Sequence, residues 1–397
     1  VPAVYLSSSG FNPDLKPERT GSWEVGTDLR FFMNRVGLDL TYYNETTFDQ
    51  IVTAEISKAS GFSNIVTNGG EISNKGVEAQ MTLSPVKTSD FTWEMNVNFA
   101  KNQNEVVYLA GGLSQLTITN ESQINIVAIP GRPYGEIIGT RIKRYYKRDG
   151  EGNVVDDHNN GRPLIGDDGL YIQEERGVIG NVTPDWTGGI TSMMQYKGLS
   201  LSFSVGVSKG GDIFSKTNKY GLDNGQYVET LEGRESWYNA TSDEQQMGRR
   251  GLYNPDGTPM LDENEDQMFD PDGSESVGYV ADGVLADGTE NTRGIDPQVY
   301  FHQRKWGGIA ELDVYDASYV KLRDLTINYD LPVGWFENNF VSSASVSLVG
   351  KNLWLIYSGV PNIDPESSFT SNNNGIGQEY AAMPPTRSVG FNVRIVF

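Results

Sequence analysis

Residues 387–397, RSVGFNVRIVF, constrain this chain more than any other stretch. Val389, Phe391, Val393, Ile395 and Phe397 fall on one side of an extended chain, and Ser388, Gly390, Asn392 and Arg394 on the other, with Val396 the one apolar exception. A period of two with one apolar and one polar face is the pattern of a half-buried strand. A soluble sandwich would turn the apolar face inward. A membrane β-barrel would turn it to lipid and give the polar face to a wet lumen. The stretch has the length of a membrane-crossing strand, about 9–11 residues. It also ends on an aromatic residue where most chains fray. The expectation is a barrel-closing strand, with the sandwich as the alternative.

The same alternation recurs upstream. Trp23, Val25, Thr27, Leu29 and Phe31 alternate with Ser22, Glu24, Gly26, Asp28 and Arg30. After a turn at Met33-Asn34-Arg35, Val36, Leu38, Leu40 and Tyr42 continue the pattern. It returns at residues 76–83, 91–99 and 199–208, and more weakly near 115–127, 135–147, 187–197, 309–316, 319–330 and 343–356. Alternation and flanking turn residues thus predict roughly twelve strands. Mid-strand charges such as Glu24, Asp28, Arg30 and Glu94 always take the polar side. They would be costly in a dry core and cheap in a wet lumen or on an outer sandwich face. Aromatic residues gather towards strand ends, as interfacial girdles do, though strands favour aromatics in any setting.

Composition agrees with a wall that needs only one apolar face. Hydrophobic residues make up 37% of the chain, with 45 Gly, 20 Tyr and 16 Phe. No apolar run is long enough for a transmembrane helix, which leaves β-barrels untouched. A net charge of −21 argues against a nucleic-acid partner. Cysteine is absent, so disulfides and thiol chemistry are excluded. No signal peptide is visible at the start of the sequence.

Between residues 209 and 300 the alternation vanishes, and residues 254–297 hold twelve Asp and Glu against the single basic residue Arg293. On the barrel reading this is a long acidic extracellular loop without regular structure. Its aromatics Trp237, Tyr238 and Tyr253 are candidates to stack on sugar faces. Asp149, Glu151, Asn153 and Asp156 are the candidate calcium ligands, in a turning loop with Gly150 and Gly152. Asp270-Pro271-Asp272-Gly273 has a similar flavour, and neither stretch completes the EF-hand spacing. Gly206-Val207-Ser208-Lys209-Gly210 matches G-x-S-x-G but ends an alternating strand instead of forming an elbow before a helix. No enzyme constellation is legible, and no catalytic residue or cofactor is expected.

Several motifs together resemble one family. Asn12-Pro13-Asp14-Leu15-Lys16-Pro17-Glu18, followed by Ser22-Trp23-Glu24-Val25-Gly26, resembles a mid-barrel signature of the SusC/RagA TonB-linked outer-membrane transporters of Bacteroidetes. Residues 180–189 (GNVTPDWTGG), 317–326 (ASYVKLRDLT) and 350–354 (GKNLW) resemble further strand motifs of that family. Met383-Pro384-Pro385-Thr386-Arg387 resembles the approach to its final strand. The resemblance implies an all-β transmembrane antiparallel barrel of 22 strands, of which residues 1–397 would supply about half, the C-terminal part. It further implies long extracellular loops and a plug domain outside this chain. The implied function is import of a nutrient, glycan or peptide, across the bacterial outer membrane. The implied partners are a SusD-like surface lipoprotein, TonB acting through the plug, outer-membrane lipid and lipopolysaccharide, and the N-terminal part of the same barrel. The alternatives are a structural or adhesive outer-membrane barrel and a soluble all-β binding module.

Overall fold

The computed structural model describes residues 9–10, 12–55, 58–62, 64–109, 112–121, 123–270, 276–305, 307–335, 340–367 and 376–397. Nine antiparallel strands form one sheet: β1 Arg19–Phe31, β2 Val36–Phe48, β3 Gly70–Lys87, β4 Phe91–Leu109, β5 Trp186–Tyr196, β6 Leu199–Lys209, β7 Tyr319–Asp330, β8 Ser343–Ser358 and β9 Ser388–Val396. Every strand pairs with its neighbours in chain order, so the sheet is an up-and-down wall with β1 and β9 as its edges. It is an open part of a barrel, and its two edges must be paired before it can sit in lipid.

The register carries the sequence pattern straight across the wall. Leu38 faces Met81, Met81 faces Val97, Val97 faces Ile190, and Ile190 faces Val205. Leu201, Ile327, Leu348 and Phe391 form another apolar row. Many of these outward side chains are uncovered: Ile190 is 44% exposed, Leu348 52% and Phe391 80%. This removes the soluble-sandwich alternative, in which a second sheet would cover them. One hydrogen bond lies on this face, from Trp93 Nε1 to Ser192 Oγ at 3.0 Å.

Aromatic residues bracket the apolar face. Phe91 pairs with Tyr196 at one end, while the rings of Phe99 and Trp186 meet at 5.7 Å, tilted by 36°, near the other. Trp186 and Tyr196 are the first and last residues of β5. At about 3.3 Å per residue and a tilt near 40° the two rows stand roughly 25 Å apart, the height of an outer-membrane barrel's apolar band.

Connections are short at one end and long at the other. Turns at 32–35, 88–90 and 197–198, and the segment 331–342, lie at the first end. Segments 49–69, 110–185, 210–318 and 359–387 lie at the second. In the 32–35 turn Phe32, Met33 and Asn34 take φ of 52, 54 and 64°, a left-handed reversal made by residues other than glycine.

Three of the twelve expected strands are not in the wall. Residues 115–127 and 135–147 contribute Leu116–Asn120, Asn125–Ala128 and Glu136–Ile142, which join Gln173–Asn181 in a separate four-stranded sheet. Residues 309–316 form a helical turn, Ala310–Asp313, and a three-residue strand, Val314–Asp316. The reason is burial on both faces: Ile124, Ile126, Val127, Ala128 and Ile137 are all at most 2% exposed. They belong to a dry core and not to a two-faced wall.

The 209–300 segment also differs from expectation, because it is folded. It holds α1 Lys216–Asp223, α2 Arg234–Tyr238 and α3 Ser242–Met247, and α4 Pro297–Phe301 falls at its end. Ser215 caps α1, Thr241 and Glu244 form a capping box on α3, and Asp296 caps α4 just ahead of Pro297. Helices of five to eight residues are too short to show a 3.6 period, which is why the sequence pattern missed them. Ile165, Leu222, Ala281, Ile295, Tyr300 and Phe301 pack as one core here, and Ile124, Ile126, Ile137, Phe214 and Ala310 as another. Among the described residues these cores lie in the cap built from the long connections, while Val106 and Leu109 of β4 join Leu116 and Ala128 in a core where wall and cap meet.

Candidate functional site: the polar face of the wall and its cap

The inward face of the wall is graded in charge. β1 to β4 contribute Glu24, Asp28, Asp39, Glu45, Glu78 and Glu94 against Lys87 and Arg30, the latter bound to Asp28 at 3.0 Å. Asp28 and Asp39 stand directly opposite each other across β1 and β2, an arrangement that costs stability when charges are alike. β5 and β6 carry Thr187, Gly189, Thr191, Ser200, Ser202 and Ser204, with no charge. β7 to β9 add Lys321, Arg323, Lys351 and Arg394, beside Asp324 and Asp330. A depression of about 520 Å³ on the acidic side is lined by Asp39, Thr41, Glu78, Gln80, Asn98 and Thr187. Tyr43 donates to Asn102 Oδ1 at 3.1 Å, and Asn102 donates to Asn74 Oδ1 at 3.1 Å. These groups can bind a polar or charged solute; none forms a nucleophile with its base.

A strap, residues 359–367, is tied to this face. Lys321, only 4% exposed, contacts Asp364 Oδ2 at 2.5 Å and Glu366 Oε2 at 2.9 Å. Arg323 holds both Glu366 oxygens, at 2.6 and 3.3 Å, and Tyr319 donates to Glu366 Oε1 at 2.8 Å. Burial would raise the Glu366 carboxyl, but the bonds from Arg323, Lys321 and Tyr319 outweigh it and hold it at about 2. The strap in turn holds the cap: Asn218 donates to Pro361 O at 3.0 Å, and Asn362 to Asn218 Oδ1 at 3.2 Å.

Inside the cap, α1, α2 and α4 enclose a cavity of about 310 Å³. Leu222, Pro297, Phe301 and Tyr238 supply its apolar part, and Asp223, Arg234, Gln298 and His302 its polar part. His302 Nδ1 lies 2.7 Å from Asp223 Oδ1. Arg234 donates from Nε to Thr230 O at 2.5 Å and from Nη2 to Thr230 Oγ1 at 2.8 Å. Beneath α1 the cap buries further charge. Burial pulls the Lys219 ammonium down, and its Nζ reaches Gln123 Oε1. Arg304 and Asp313, 9% and 0% exposed, bond at 3.1 Å, and burial pushes the Asp313 carboxyl up against the pull of Arg304.

The residues expected to meet a sugar are not gathered at one place. Tyr238, 66% exposed, borders the cavity. Trp237 lies against Gly278, and Tyr253 stands on the ribbon in which Tyr253 pairs with Pro259. Arg234, Asp223, Gln298 and His302 escaped the sequence reading because 79 residues separate Asp223 from His302 and no spacing links them. Only the N-cap at Asp296 and the interval from Gln298 to His302 hinted at a helical face.

The acidic loops close upon themselves. Asp149 Oδ1 accepts the amides of Glu151 and Asn153, both at 2.9 Å. The Asn153 amide leads the bonds that hold the Asp149 carboxyl below its usual range. Asp256, Asp262 and Asp287 cap their own turns in the same way. Glu151 and Asp156 point to solvent, and no three His, Cys, Asp or Glu side chains converge among the described residues. Of the four candidate calcium ligands, Asp149 and Asn153 are joined within their turn at 3.3 Å, and Glu151 and Asp156 lie exposed beside it. Asp272 and Gly273 lie outside the described residues.

Comparison with known proteins settles the family. Residues 2–353 match the family described as TonB dependent receptor-like, beta-barrel. The chain belongs to the TonB-dependent receptor β-barrel family. TonB-dependent receptor P3 of Formosa agariphila is 26% identical over 403 residues, covering 96% of this chain and 35% of that protein. TonB-dependent receptor SusC of Bacteroides thetaiotaomicron is 29% identical over 224 residues, covering 53% of this chain and 22% of its own length. The chain therefore spans about a third of the first of these receptors and less of the second. Among solved structures, that of the RagAB peptide transporter aligns with a TM-score of 0.61 at 20% identity, over 97% of this chain and 36% of that one. The RagAB importer in its closed-closed state aligns at 0.63 and 18% identity, with the same coverage. The SusC- and RagA-like reading of the sequence motifs stands, and the wall is that of a TonB-dependent receptor barrel.

Proposed function

We propose that this chain is part of the wall and cap of an outer-membrane importer that takes up a glycan or a peptide. In this reading TonB drives transport through a plug carried elsewhere in the protein, and a SusD-like lipoprotein covers the cap from the cell surface. One observation carries it. The wall has an uncovered apolar face framed by aromatic rows roughly 25 Å apart and a polar, charge-bearing opposite face. The first face suits lipid, and the second suits a wet passage. The names of the similar proteins support transport, with RagAB described as a peptide transporter and SusC as a TonB-dependent receptor. Tyr238 at the cap cavity is the aromatic best placed to touch cargo. The test is uptake of labelled oligosaccharides and oligopeptides by cells carrying the full-length protein, with and without TonB. TonB-dependent uptake of either class supports the importer. No TonB-dependent uptake, with the barrel correctly inserted, would leave a structural or adhesive barrel.

A further inference from the structure

We propose that the cap cavity bordered by Arg234 binds a carboxylate group on a small ligand: a uronic acid of a glycan or the C-terminus of a peptide. The inference deepens the import reading and rests on it for the cargo's origin. Four observations converge. First, every hydrogen-bond partner of Arg234 is a neutral oxygen: Thr230 O, Thr230 Oγ1 and, at 3.5 Å, Gly225 O. Among the described residues it has no carboxylate partner, in a chain with a net charge of −21. Second, these bonds engage Nε and Nη2 and leave Nη1 unused, so the guanidinium is held with a donor to spare. The Nη1 left over can give a charge-assisted hydrogen bond to a carboxylate oxygen.

Third, the room around it is built in. Gly225 takes a φ of +68°, and a Cβ there would come within 2.6 Å of Arg234 Nη2. Fourth, the remaining lining fits one acidic group on a compact carbon skeleton. Leu222, Pro297, Phe301 and Tyr238 offer apolar surface, and Gln298, whose Nε2 lies 3.3 Å from His302 Nε2, carries a second N–H on that nitrogen. Asp223, the carboxylate in the lining, is engaged by His302 at 2.7 Å. A doubly charged phosphate would meet that carboxylate at greater cost than a singly charged carboxylate does. At about 310 Å³ the cavity is small for a ligand site. It suits one sugar ring or the end of a peptide.

The experiment uses the full-length transporter in detergent and two matched pairs of probes in titration calorimetry. One pair is galacturonate and galactose; the other is a tripeptide and its C-terminal amide. At least one acid should bind tenfold or more tightly than its neutral partner, and the pair that shows it names the source. Arg234→Gln should abolish the preference, and Gly225→Ala should weaken it by displacing the guanidinium. Equal binding of acid and neutral forms by the unaltered protein, no measurable binding, or a preference that survives Arg234→Gln would overturn the proposal. The comparison on unaltered protein stands even if a variant misfolds. Uptake is read separately. Acid-selective binding without TonB-dependent uptake refutes the importer and keeps the site, whereas uptake without acid selectivity refutes the site alone.

Discussion

Ile190 and Thr191 are consecutive residues on β5, and the wall assigns them opposite solvents. Ile190 lies between Val97 and Val205 on the outward face; Thr191 lies between Asn96 and Ser204 on the inward face. Ile190 stands four residues from Trp186 and six from Tyr196. At about 3.3 Å per residue and a tilt near 40°, that puts it roughly 10 Å inside one aromatic row and 15 Å inside the other, near mid-bilayer. An arginine on the lipid face at that depth costs about 2–4 kcal/mol. Ile190→Arg should therefore lower the unfolding free energy of the full-length protein in vesicles by that amount. Thr191→Arg, facing a wet lumen, should cost less than about 1 kcal/mol. Guanidinium titrations of both variants, followed by tryptophan fluorescence, give the comparison. Equal costs for the two variants, or a larger cost at Thr191, would refute the assignment of faces.

Three further outcomes follow from the polar contacts. Glu366 sits at about 2 in place of 4.5, worth roughly 3 kcal/mol in full burial and about 1–2 after allowance for its one-third exposure. Because the folded value is depressed, this stabilisation is present above pH 4.5 and is lost as pH falls towards 2. Glu366→Gln should speed hydrogen exchange at the Glu366 and Ser367 amides about 5- to 30-fold at pH 7; unchanged exchange would mean the strap is held otherwise. Trp93→Phe should cost about 0.5–1.5 kcal/mol in a melt of the detergent-extracted protein, since it leaves the buried Ser192 hydroxyl unpaired in an apolar setting. Arg304→Met should destabilise the cap by about 3–5 kcal/mol by stranding Asp313, and Arg304→Met with Asp313→Leu should recover most of that, read as exchange across residues 297–316.

The barrel-type wall was legible in the sequence because each of its strands obeys a local rule. Strands such as β1, β6 and β9 alternate, with an exception at Val396, the end of β9. A chain that alternates between lipid and water must repeat with period two whatever its neighbours do. The same rule misread residues 115–127 and 135–147, where burial on both faces removes the constraint that a polar face imposes. It was silent on the cap, whose short helices are fixed by caps at Ser215, Thr241 and Asp296 and by packing on Tyr300 and Phe301.

The candidate sites divide along the same line. Which wall residues face the passage followed from parity except at the β7 bulge, where the consecutive residues Arg323 and Asp324 both face inward. That Asp28 meets Asp39, that Lys321 and Arg323 grip a strap about 40 residues downstream, and that Arg234 shares a cavity with His302 did not. The sequence by itself determined the two-faced strands and the kind of barrel they build, since alternation is a property of consecutive residues. Only the tertiary structure decided the register, the folded cap and the cavity within it. Those depend on contacts between residues far apart in the chain, and no local period records them.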